Sequence, residues 1–300
     1  MVFRFFMINQ LKKNVHIMTD RIAQTRTYYE MNRSGSFDMK KFQENLTTHY
    51  IGRSFVYRKS VDSTMQIAQR EIEEGAVTGT IVLAEQQTNG RGRKNRSWVS
   101  ESSDNLYFSI VIRVNHENPS HLLKLNFAAP IAIIQACKDQ GLQNVFIKWP
   151  NDVYVKHQDE SFSKLCGTII DSVQVGDSLA ANIGIGINVN QNMKTIKDTV
   201  VGNTPISIKD CLERQISREV VLAKFCNTLE GLMGTSLSET LLLYKSFDML
   251  INKNVIVTNK DSQRLGKAVG YSSGGNLIVK FDDGDVTSEL LAEEVSIRPH

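Results

Sequence analysis

The sequence predicts an α+β protein, and three observations lead there. Strand-like stretches, the apolar run at 81–84 and the alternating run at 105–114, are interleaved with longer helical periods such as 120–140. Past residue 250 the helical period disappears. Short strand-like runs then alternate with Gly-rich or Asp-rich turns at 272–275 and 282–285, which reads as a small antiparallel barrel. A chain of 300 residues can hold one good-sized domain and a smaller one. The expected division is a tail at 1–36, a main domain at 37–250 and a small domain at 251–300.

Each element follows from local chemistry. Residues 1–36 show no sustained period, and Asn32-Arg33-Ser34-Gly35-Ser36 reads as a linker. A short helix is expected at 37–46 and a strand at 54–58. Ser63 and Thr64 can cap a helix that carries Met65, Ala68 and Ile72 on one stripe and stops at Gly75. In the run at 105–114, Leu106, Phe108, Ile110, Ile112 and Val114 alternate with Tyr107, Ser109 and Arg113, the pattern of a strand with one face in a core. The helix at 120–140 is apolar on nearly all sides, so it belongs in the centre, and Pro130 should kink it. Short strands at 145–148 and 152–155 flank a turn at Trp149-Pro150-Asn151. A polar hairpin loop at 156–163 and a hairpin of 167–175 with 179–189 follow, then helices at 217–233 and 236–249. The closing strands are expected at 254–257, 266–270, 276–281 and 294–297.

Composition excludes several classes. Net charge is +3, but the first 34 residues carry six basic and two acidic side chains, so the rest is close to −1. A body-wide nucleic-acid surface does not fit that distribution. Four cysteines without a Cys-x-x-Cys spacing suit a reducing compartment, and the six scattered histidines show no zinc-site spacing, so no protein-held metal is expected. No run of about 20 apolar residues is present to cross a membrane. The acid-poor, basic start of the chain is compatible with an organelle-targeting peptide, although a plain tail accounts for it too.

Chemistry concentrates in Gly90-Arg91-Gly92-Arg93-Lys94-Asn95-Arg96-Ser97-Trp98. Two glycines one residue apart let the backbone approach a ligand, and four of the six residues 91–96 are cationic, so the loop suits an anion. Arginine can hold phosphate or carboxylate in two places, and Trp98 offers a face to a purine. Taken alone, a solvated basic hairpin explains the loop equally well. A second stretch, Lys148-Trp149-Pro150-Asn151-Asp152, puts a lysine and an aspartate around one turn, where a surface salt bridge and a Pro-Asn turn would also suffice.

Together with Lys164-Leu165-Cys166-Gly167 and Gly184-Ile185-Gly186-Ile187-Asn188-Val189-Asn190, these motifs occur in the order found in biotin protein ligases, which the chain resembles over roughly residues 46–300. The resemblance implies a mixed β-sheet covered by helices and followed by an SH3-like barrel. It also implies biotin and ATP as substrates, with Mg2+ on the polyphosphate, and biotin carboxyl carrier domains of carboxylases as partners. Ser63, Thr64 and Gln87 would then lie against the ureido ring, where neutral groups donate and accept without burying a charge. Gly90, Arg91, Gly92, Arg93, Arg96 and Trp98 would form a loop over the nucleotide, mobile until the ligand offsets its charges. Lys148 and Lys164 would meet carboxylate and phosphate, Asn151 and Asn188 the nucleotide end, Gly186 the floor, and Asp152 the incoming amine.

Two other classes stay in view. Lipoate ligases and octanoyl transferases resemble the biotin enzymes in fold but lack the Gly-Arg-Gly-Arg-x-x-Arg-x-Trp loop in this form. A biotin-sensing DNA-binding regulator would need a winged helix, and the roughly 45 residues before the matched region show no helix-turn-helix period, so no DNA partner is expected. Cytoplasmic operation is expected, mitochondrial if the tail is a targeting peptide, and a free sheet edge could support a homodimer.

Overall fold

The computed structural model describes residues 37–101, 103–114, 120–193, 204–259, 262–284, 287–290 and 296–299. The expectations for the tail at 1–36 lie outside the described residues. A seven-stranded sheet forms the frame: β1 (Phe55–Val61), β2 (Ile81–Gln87), β3 (Leu106–Val114), β4 (Val145–Lys148), β5 (Asp152–Lys156), β6 (Phe162–Val175) and β7 (Ser178–Ile187), in the order β1-β2-β3-β7-β6-β5-β4. Only β1 and β2 run parallel, as the crossover through helix α2 (Thr64–Glu73) requires; the other neighbours are antiparallel. The sheet is therefore mixed, as expected.

Alternation along the strands separates two cores. Leu83, Phe108, Ile110, Ile183 and Ile185 belong to the larger one, with α3 (Ser120–Asp139), α5 (Arg218–Met233) and α6 (Leu237–Phe247) contributing Leu125, Ala128, Phe225 and Tyr244. Val82, Val111 and Ala180 face the other way, where Ala68 and Ile72 of α2 cover them. One expectation changes here. Tyr107 and Ser109 are fully buried instead of facing solvent, because α2 lies over the second face of β3. The buried α3 keeps Pro130 inside its span, and the short α1 (Met39–Asn45), capped by Asp38, packs on α5.

A buried ion pair ties this frame together. Arg218 Nη1 donates to Glu85 Oε2 at 2.6 Å and to the Asn105 carbonyl at 3.1 Å, while Phe37 N and Tyr57 Oη donate to Glu85 Oε1 at 2.9 and 3.0 Å. Both side chains are buried, so each charge depends on these partners.

The C-terminal strands β8 (Asn254–Asn259), β9 (Ser262–Tyr271), β10 (Leu277–Phe281), β11 (Thr287–Leu290) and β12 (Ser296–Pro299) form an antiparallel, barrel-like sheet ordered β11-β10-β9-β8-β12. The strand at 287–290 was not expected. The last strand falls at 296–299 instead of 294–297, and 294–295 lie outside the described residues. Its core is continuous with the main one: the Tyr244 and Tyr271 rings meet edge to face at 5.6 Å, and Tyr271 Oη donates to Asp248 at 2.5 Å. Gly275 approaches Phe127 so closely that a Cβ there would overlap the ring, and its φ of +77° also favours glycine.

Candidate active site

The site opens on the α2 face of the sheet, where β6 and β7 carry small residues. Gly167 pairs with Gly186 in the β6–β7 ladder, and the Trp98 indole lies across both. A Cβ at Gly167 would come within 2.9 Å of Trp98 Cζ3, and one at Gly186 would overlap Cε2 and Nε1. These glycines are required by close approach of the ring. Around Trp98 runs a cavity of about 150 Å³ lined by Ser63, Thr64, Gln87, Arg91, Gly92, Arg93, Arg96, Asn151, Asp152, Lys164, Gly186 and Asn188, among others. Twelve positions chosen from sequence thus converge with Trp98.

One end of the cavity is polar and uncharged. Ser63 caps α2 and accepts from Met65 N at 3.3 Å. Thr64 donates from its backbone N–H and from Oγ1 to Gln87 Oε1, at 2.8 and 3.2 Å, and accepts from Ser109 Oγ at 2.9 Å. Gln87 Nε2 donates to Ser100 Oγ at 2.9 Å. The Ser63 hydroxyl therefore caps the helix, the Thr64 hydroxyl is held by Gln87 and Ser109, and both residues line the cavity.

The basic loop forms the other wall. Trp98 N donates to Gly90 O and Gly92 N to Arg96 O, so the loop folds back on itself through a 3-10 turn at Arg93–Asn95, with Lys94 at φ +56°. Its charges are not left to the ligand alone, which corrects the expectation above. Arg91 pairs with Asp171 of β6 at 3.0 Å, and Arg93 Nη1 donates to Asn151 Oδ1 at 3.0 Å. Lys94 sits below its ordinary pKa, first through partial burial and then through the neighbouring charges of Arg93 and Arg96.

Asp152 and Lys164, assigned separate tasks from sequence, are bound to each other at 2.8 Å, about four-fifths buried. The alignment of β5 with β6 brings them together, and Lys164 Nζ stands 5.4 Å from the centre of the Trp98 ring. Burial raises the pKa of nearby Tyr154; Asp152 adds to this and Arg96 opposes it. Asn188 lines the cavity, but its amide nitrogen donates to the carbonyls of Ile206 at 3.1 Å and Lys164 at 3.4 Å, so it also clamps the strand behind Lys164. Asn151 divides likewise, its amide nitrogen donating to the Thr168 carbonyl. Two expected residues stand back. Gly90 is packed beneath Trp98 O and Ser100 Oγ, and Lys148 lies over the Tyr154 ring, 5.2 Å from its centre, outside the cavity lining. Met65, read from sequence only as part of the apolar stripe of its helix, lines the cavity too, and so do Gln191, Met193 and Pro205, which nothing in their local spacing distinguishes from core or loop.

The match to known proteins agrees with this geometry. Residues 57–188, which hold all but the last part of the cavity, match the model of the biotin/lipoate A/B protein ligase family. That stretch is a biotin/lipoate ligase family domain. Among relatives of this ligase, the bifunctional ligase/repressor BirA of Escherichia coli strain K12 is 28% identical over 251 residues, 82% of this chain and 75% of that one. BirA of Bacillus subtilis strain 168 is 25% identical over 270 residues, 87% and 80% of the two chains. Among solved structures, the biotin protein ligase from Aquifex aeolicus in complex with biotin and ATP superposes with a TM-score of 0.66 at 27% identity, covering 83% of this ligase and all of that chain.

All four cysteines of the ligase are free, and burial pushes their thiols up, Cys137 to about 12 and Cys211 to about 11, so none is poised as a nucleophile. Among the described residues no helix is long and apolar enough to cross a membrane.

Proposed function

We propose that this chain is an ATP-dependent biotin protein ligase. It joins biotin to ATP as biotinyl-5′-AMP and then transfers the biotinyl group to a lysine of a biotin carboxyl carrier domain. The observation that carries the reading is one cleft with an uncharged hydrogen-bonding end at Ser63, Thr64 and Gln87 and a cationic wall at Arg91, Arg93, Arg96 and Lys164. A neutral bicyclic urea suits the first and a carboxylate beside a phosphate the second.

In the first step a carboxylate oxygen of biotin attacks the α-phosphorus and pyrophosphate leaves. Two anions must be held in line while charge builds between them. Lys164 and Arg93, each already oriented by a partner in Asp152 and Asn151, are assigned to that charge. Trp98, seated on Gly167 and Gly186, would pack between ring and nucleotide. In the second step the acceptor amine attacks the acyl carbon, AMP leaves, and the amine's proton passes to Asp152 or to solvent. The loop would shield the anhydride from water meanwhile.

Mg2+ is proposed as a companion of the polyphosphate. Among the described residues no group of three or more His, Cys, Asp or Glu could hold a metal ion, so no step is routed through one. Cytoplasmic operation without DNA is part of the same proposal. The test is ATP–pyrophosphate exchange: biotin should stimulate it and lipoate should not. Failure of biotin to do so overturns the assignment.

A further inference from the structure

Met65 follows directly on the Ser63–Thr64 pair, and no step above uses it. Its side chain is 3% exposed and lines the cavity. It lies down on Gly184 of β7: a Cβ at that position would stand 2.7 Å from both Cγ and Sδ of Met65, and 3.1 Å from Ile169 Cγ2. Glycine is therefore needed at 184 because Met65 occupies the volume. The backbone of Met65 is fixed as well. Its carbonyl accepts from Asn182 Nδ2 at 2.8 Å, and its N–H donates to Ser63 Oγ. Asn182 is itself buried, and its Oδ1 has no partner, so the hydrogen bond to Met65 is what the structure shows its side chain making.

We propose that Met65 is the specificity-determining residue for the ring of the acid. Its unbranched thioether chain forms the apolar wall next to the polar end at Ser63, Thr64 and Gln87 and sets how bulky a ring the cleft accepts. Methionine suits such a wall because it fills an irregular gap and remains polarisable toward a ring. A pocket wall that gains or loses a few carbon atoms changes discrimination between close analogues by roughly 10- to 200-fold. This inference rests on the biotin reading above.

The experiment compares biotin with biotin sulfone, whose ring sulfur carries two extra oxygens, in pyrophosphate exchange by the full-length protein. The wild type should prefer biotin. Met65→Ala should lower that preference roughly tenfold or more, and Met65→Val, a milder truncation, should lower it less. Gly184→Ala should impair exchange with biotin, and Met65→Ala in the same chain should restore part of it, which reports the contact between the two residues, while the change in preference reports the role of Met65 in specificity. Wild type active on biotin, with the preference unchanged in both Met65 variants or with no rescue of Gly184→Ala, overturns the role of Met65 alone. Wild type inactive on biotin overturns the underlying function instead.

Discussion

Removing Arg218 tests the buried ion pair that joins the frame to the site. In Arg218→Met the Glu85 carboxylate loses the donors at 2.6 and 3.4 Å but keeps Phe37 N and Tyr57 Oη, and the Asn105 carbonyl loses one donor. Breaking a buried pair by removing one partner costs about 3–5 kcal/mol. The two surviving donors put the expected loss near the lower end, about 3 kcal/mol. For a chain of this size each kcal/mol moves Tm by about 2–4 °C, so a drop of roughly 6–12 °C is expected. Circular dichroism against temperature and a urea titration at 25 °C measure it independently. Glu85→Gln added to Arg218→Met should recover at least half of the loss, since the amide still accepts from Phe37 or Tyr57 and no charge remains buried. A loss below about 1 kcal/mol, or a double variant no better than the single, would refute the reasoning.

Three further outcomes are expected. Gly186→Ala should lift Trp98 from the sheet, because the new Cβ has no room beneath the indole; the emission of Trp98, which is half-buried while the other tryptophan, Trp149, is buried, should shift red and become more open to acrylamide, and biotin-dependent exchange should fall roughly tenfold. Unchanged quenching would show that the ring does not rest there. Arg93→Gly should release biotinyl-5′-AMP and label bystander lysines, to be read by mass spectrometry; clean modification of one acceptor lysine would exclude the assigned role. Glu230 supplies a pH test. Burial pushes its carboxyl up, but the backbone N–H groups of His49, Ile51 and Tyr50 outweigh that and hold its pKa below the ordinary value. A depressed carboxyl stabilises the fold above its unfolded pKa, about 4.3, and stops doing so as pH falls through the lower folded value. The Tm gap between wild type and Glu230→Gln should therefore be full at pH 7 and close below about pH 4; a gap independent of pH would contradict the hydrogen bonding.

Much of the fold was legible because its signals are local. Ser63 and Ser236 are helix caps within one turn of what they cap, and β3 shows its period over nine residues. The helix α4 (Ile208–Leu212) escaped notice although Ser207 and Asp210 form its capping box, because five residues carry too little period to stand out. The second buried face of β3 was illegible for another reason. Tyr107 and Ser109 look like solvent positions until α2, more than 30 residues earlier, is known to cover them.

By itself the sequence determined which chemistry could be present: a cationic, glycine-bearing loop, a neutral hydroxyl pair with an amide, and the strands and helices that carry them. These depend on residue type and short spacing, which the chain fixes directly. Only tertiary structure decided who meets whom. The partnership of Asp152 with Lys164, the arginine loop's anchors at Asp171 and Asn151, the seat of Trp98 on two glycines and the wall made by Met65 all arise from strand register and from surfaces brought together across tens of residues. Such contacts are set by packing the whole sheet, and no local pattern encodes the distance between two side chains that share only a neighbouring strand.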